Sequence, residues 1–126
     1  MELEEFKKDY CWRSAFNEAF GKDFQGYGDP GPNPIDDVME IIACEEGENE
    51  EKDWIGIFKM RDGKFLVLQA GCDATGWDCQ AGGSYVAYDT LEEALSPLSL
   101  TQEFRERLYW QLRIFLREAI TDEPTL

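Results

Sequence analysis

The stretch Trp54-Ile55-Gly56-Ile57-Phe58-Lys59-Met60-Arg61-Asp62-Gly63-Lys64-Phe65-Leu66-Val67-Leu68-Gln69-Ala70 decides the fold. Two runs rich in β-branched and aromatic residues flank a cluster of turn formers. This predicts a hairpin, with one strand over residues 54–60 and the returning strand over 65–70. The Asp62-Gly63 pair predicts a type I′ turn at residues 61–64. Both strands are apolar at odd and even positions, so the sheet should be covered on both faces.

Toward the C-terminus comes Gly71-Cys72-Asp73-Ala74-Thr75-Gly76-Trp77-Asp78-Cys79-Gln80-Ala81-Gly82-Gly83, with two of the chain's four cysteines. Its glycines predict a tight loop before a third strand at 84–89. Such a loop would bring Cys72 and Cys79 within bridging reach, though reduced in a cytosolic setting. Thr90-Leu91-Glu92-Glu93 is a capping box opening a short helix that stops at Ser96-Pro97. A last helix is expected over about 100–120. Its core stripe would be Phe104, Leu108, Leu112, Phe115, Leu116 and Ala119. Trp110 and Ile114 fall on another side, with Arg107, Arg113 and Arg117 around them. That is the composition of a protein interface; the alternative is cover by the N-terminal helix.

Toward the N-terminus, residues 3–20 read as one helix with Trp12, Ala15, Phe16, Ala19 and Phe20 on one side. Asp9 and Arg13 could pair within it, and Gly21 would end it. Residues 25–34 are too rich in glycine and proline for a regular element. Asn33-Pro34 then predicts a helix start, running to Gly47. A strand at 38–44 competes, because the β-branched content is high. Residues 45–53 form an acidic connection. The architecture is α+β: a three-stranded antiparallel meander with about four helices, in the order α-α-β-β-β-α-α, in a single domain over residues 1–126.

The 126 residues are 43% hydrophobic and 13% aromatic, enough for a core. There are 27 acidic against 12 basic residues and no histidine, for a net charge of −15. Phosphate backbones and anionic membranes would repel such a chain. No apolar run has bilayer length, and Met-Glu-Leu-Glu-Glu lacks the basic start of a signal peptide. A cytoplasmic location is therefore expected.

Little points to catalysis. Without histidine the usual base for a serine or cysteine nucleophile is missing, so no catalytic residue is assigned. The cysteines lack zinc spacing, so no metal ligand and no cofactor are assigned either. Asp73 and Asp78 could approach a hard cation. In glycine-rich loops such aspartates more often accept hydrogen bonds from their own backbone.

The run Ala70-Gly71-Cys72-Asp73-Ala74-Thr75-Gly76-Trp77-Asp78-Cys79-Gln80 resembles a segment of small uncharacterised proteins of bacteria and their phages. Trp54-Ile55-Gly56-Ile57-Phe58 and Asp62-Gly63-Lys64-Phe65 belong to the same pattern, which covers residues 52–95. The resemblance implies no activity. It implies an accessory role in a bacterial cytosol.

The leading expectation is a small acidic protein-binding domain, a regulator or inhibitor of a host protein. Its recognition surface would be residues 36–53 and 71–83, with a basic protein as partner. The candidate binding residues are Asp73, Thr75, Trp77, Asp78, Gln80, Trp110, Ile114 and Arg117. A weak homodimer through the last helix is also expected. Two other readings stay open. One is a ligand- or metal-binding protein, enzymes included, with a pocket at Trp77. The other is an inhibitor that mimics nucleic acid.

Overall fold

The structure, a computed structural model, describes residues 2–21, 32–96 and 100–121, without the side chains of 78–80 and 118–121. Among these, the order is α1 (Leu3–Lys8), α2 (Tyr10–Ala19), a 3-10 turn (Pro34–Asp37), β1 (Val38–Glu45), β2 (Trp54–Met60), β3 (Phe65–Asp73), β4 (Gly76–Tyr88), α3 (Leu91–Ala94) and α4 (Gln102–Thr121). The strands form one antiparallel meander, β1-β2-β3-β4. The α+β expectation holds, with four strands in place of three.

Alternation along β2 and β3 builds two cores, one on each face of the sheet. Trp54, Phe58, Met60, Leu66, Leu68 and Ala70 meet α1 and α2 through Phe6, Trp12, Ala15 and Phe16. Ile55, Ile57 and Val67 point the other way, to Ala94, Leu100, Phe104 and Leu108. On the first face Phe58 lies among three rings, 5.2 Å from Phe6, 5.9 Å from Trp12 and 5.2 Å from Phe16.

The N-terminal helix is two helices. Asp9 is extended (φ −67°, ψ 126°), and its carboxylate accepts from the Trp12 amide, capping α2. A capping aspartate within an apolar periodicity starts a new helix. Arg13 reaches Asp36 at 3.1 Å and the Lys7 carbonyl at 2.8 Å. Gly21 follows α2 with φ +68°, as expected. The region 25–34 lies outside the described residues up to Gly31.

Asn33 is a helix cap as its sequence indicates, accepting from the Ile35 amide in a capping box with Asp36. It opens one turn only. From Val38 the chain pairs with β2, so strand replaces the expected helix to Gly47. The β-branched residues go where a neighbouring strand receives them. The hairpin turn also differs from type I′. The Gly63 amide bonds the Met60 carbonyl, the Met60 amide bonds the Lys64 carbonyl, and only Gly63 has positive φ (+86°). This is a three-residue loop with glycine in the left-handed position.

The expected loop does not form at residues 71–83. They are strand rather than loop. β3 continues to Asp73, a turn follows at Ala74 and Thr75, and β4 returns from Gly76. The register passes from Cys72↔Ala81 to Asp73↔Gly76, so the four residues 77–80 of β4 bulge out of the ladder with no counterpart on β3.

Candidate functional site

Among the described residues, an open hollow at this stretch is lined by Glu50, Asp53, Gly71, Cys72, Asp73 and Gly82, and Trp77 lies outside it. The Trp77 side chain is 4% exposed and packs on Trp54, with ring centroids 4.9 Å apart. It is a core residue delivered inward by the bulge. Asp73 accepts from the amide and the hydroxyl of Thr75, closing the turn on itself. The side chains of Asp78, Cys79 and Gln80 lie outside the described residues. Among the described residues, no group of three or more Cys, Asp or Glu is placed to hold a metal ion.

The surroundings of Cys11, Cys44 and Cys72 favour the protonated thiol. Ala81 is the residue across from Cys72, and the Cys72 thiol donates to Asn49 Oδ1 at 3.2 Å. Burial raises the Cys72 pKa, and negative charge at Cys11, Asp73 and Asp53 adds to the effect. Burial also raises Cys11, and pushes Cys44 to about 11. Protonated thiols are poor nucleophiles.

Cys44 carries a pH prediction. Its folded pKa lies above its ordinary value, so the folded state binds more proton at alkaline pH than the unfolded state. Its stabilising contribution is complete below about pH 8.5 and falls as pH rises toward 11. Urea midpoints should fall between pH 8 and pH 10.5, and Cys44→Ala should flatten that slope by up to about 2 kcal/mol. Equal slopes in both proteins would refute it.

Four of the nine acids in the expected recognition segment, residues 36–53, pair with bases within the molecule. Asp36 meets Arg13, Asp37 meets Arg61 at 3.3 Å, Glu45 meets Arg107 at 2.9 Å and Glu48 meets Lys52 at 3.9 Å. Three of these contacts tie elements together, and the Glu48–Lys52 pair lies within the β1–β2 connection.

The last helix has the character of a site. Phe104 and Leu108 are buried, and Leu112 and Phe115 pack against the second core. Two polar contacts fix α4 on the β1 edge. The Gln111 side-chain amide accepts from the Cys44 amide at 2.9 Å and donates to the Cys44 carbonyl at 2.7 Å. Gln111 thus takes the place of a further strand at that position. Arg107 bonds Glu45 and the Glu46 carbonyl, so it does not belong to the Trp110 group.

With α4 fixed, its outward side is left in solvent. Trp110 is 68% exposed and Ile114 55%. Leu116, expected in the core, is 42% exposed. Arg117 is exposed as well. Tyr109, which the sequence reading passed over, completes a platform. Its ring lies 5.2 Å from that of Trp110, and its hydroxyl accepts from Arg113 at 3.1 Å. The Arg113 guanidinium lies 5.9 Å from the Trp110 ring centroid. The i, i+4 spacing of Tyr109 and Arg113 was the available signal. Beside this platform a groove of about 520 Å³ runs between Leu95, Leu100, Tyr109, Leu112 and Leu116.

Trp110→Glu should leave the fold intact, with stability changed by no more than about 0.5 kcal/mol. A cooperative loss of structure on thermal melting would place Trp110 in the core after all.

Comparison with protein-family models, with curated proteins and with solved structures found no match, so function rests on this geometry. Among the described residues no helix is long and apolar enough to cross a membrane.

Proposed function

We propose that this chain is a small protein-binding domain, an accessory or regulatory factor of a bacterial or phage cytosol, and that the outward face of α4 is its contact surface. One observation carries the reading. Tyr109, Trp110, Ile114 and Leu116 are four of the seven large apolar side chains exposed among the described residues, and all lie on one helix. Contiguous exposed apolar surface with tryptophan and arginine at its centre is the usual make-up of an interface hot spot. The ring and guanidinium contacts hold the platform before any partner arrives, which lowers the entropy lost on binding. The surrounding acidity favours a partner with basic groups at its rim.

Photo-crosslinking tests this directly. A photoreactive residue replacing Ile114, in the cells that make the protein, should yield protein adducts. The same probe replacing exposed Glu92 on α3 should not. Absence of adducts from position 114 at normal expression would sink the reading.

A further inference from the structure

We propose that the α4 face pairs with the same face of a second copy of this chain, antiparallel, with the two-fold axis at Trp110. The proposal rests on the protein-binding reading and names the partner. Glu103, Glu106, Trp110, Arg113, Ile114 and Arg117 follow the spacing of one helix side, and all are exposed. Their order has a sense. The acids come first, the tryptophan sits in the middle, and the arginines and isoleucine come last.

A two-fold axis at Trp110 turns that order onto itself. Glu103, two turns before the axis, meets Arg117 of the second copy, two turns after it. Glu106 falls beside Arg113 and Ile114 of the second copy. The two tryptophans meet at the axis, with Ile114 of each copy covering the other's ring. A parallel pair would set Glu103 against Glu103 and Arg117 against Arg117. Arg107 would face Arg113 across the axis, but it is 13% exposed and neutralised by Glu45 at 2.9 Å. The charge order thus fits a second copy in one orientation.

The size of the face sets the strength. From Glu103 to Arg117 it runs about 21 Å along the helix. Such a seam buries less than the roughly 1,200 Å² of a stable interface. Two copies of net charge −15 also repel one another at distance. The pair is therefore a weak dimer that forms as concentration rises.

Sedimentation equilibrium of the purified chain from about 10 µM to about 1 mM should show monomer and dimer, with a Kd on the order of 100 µM. Trp110→Glu should weaken pairing at least ~30-fold while the melting temperature stays the same. Glu103→Arg and Arg117→Glu, each on exposed surface, should weaken it about 5-fold each. The double variant restores opposite charges across the antiparallel seam, and should return within about 2-fold of the wild type. A wild type that remains monomeric at about 1 mM would overturn the proposal. So would a double variant no better than the single ones. If position 114 crosslinks only to a different protein while the wild type stays monomeric, self-pairing fails and the protein-binding reading stands. No adducts at position 114, either in cells or in the purified chain at about 1 mM, would end both.

Discussion

Phe58→Ala is expected to destabilise the fold by about 3–5 kcal/mol, a large part of the 5–15 kcal/mol typical of a domain. Phe58 is fully buried at the centre of the sheet face covered by α1 and α2. Its ring touches Phe6, Trp12 and Phe16, which reach it from both helices. Removing it leaves a cavity among neighbours that are themselves fully buried and packed on one another, Phe6 against both Trp12 and Phe16. Gly56 adds to the constraint: a Cβ there would stand 2.4 Å from the Phe58 ring, so the ring lies directly over that glycine. Lys59→Ala, one residue along and exposed, changes only surface and should stay within about 0.5 kcal/mol. Urea unfolding followed by circular dichroism compares the two. A Phe58→Ala loss below about 1.5 kcal/mol would show that the two helices do not depend on this contact.

What the sequence disclosed follows from how local each cause is. The hairpin of β2 and β3, the caps at Asn33 and Thr90, and α4 rest on signals within a few residues. These hold in the structure: Thr90 accepts from the Glu93 amide, and Asn33 from the Ile35 amide. Residues 38–45 were ambiguous because their helix cap is genuine, yet β2 offers a neighbouring strand whose surface suits their β-branched side chains better than a helix to Gly47 would. Residues 71–83 misled because glycine is a turn former by default. Gly83 serves packing instead: a Cβ there would lie 2.8 Å from Ala70 Cβ and 3.1 Å from Ala19 Cα, where α2 crosses β4. Trp77 followed the same error, since a bulge that turns an aromatic inward has no local signature. Trp110 and Ile114 on the exposed side of α4 were legible from helical spacing, whereas Tyr109 and Leu116 beside them were not. The Arg107–Glu45 and Gln111–Cys44 contacts were not, because their partners lie 62 and 67 residues apart in the chain.

Gly47→Ala should cost about 2–4 kcal/mol, whereas Gly82→Ala should cost less than about 1 kcal/mol. Gly47 opens the connection from β1 to β2. The chain folds back there through the Glu48–Lys52 bridge. A Cβ on Gly47 would lie 2.3 Å from the Lys52 carbonyl oxygen, 2.5 Å from the Trp54 indole and 2.7 Å from the Asp53 carbonyl carbon. Two of those three atoms are backbone, so no rotamer change relieves the contact. The third belongs to the ring that holds Trp77 in the core. The strain must therefore shift either the connection or the tryptophan pair, and both routes disturb the same end of the sheet. At Gly82 an added Cβ meets nothing within 4 Å, so only the glycine's backbone freedom changes. Tryptophan emission distinguishes the outcomes as well as stability does. Displacing Trp54 or Trp77 toward water should shift the emission maximum to the red in Gly47→Ala and leave it unmoved in Gly82→Ala. Equal midpoints and spectra for the two variants would mean that the β1–β2 connection yields to the added methyl, and that Trp54 is not held by it.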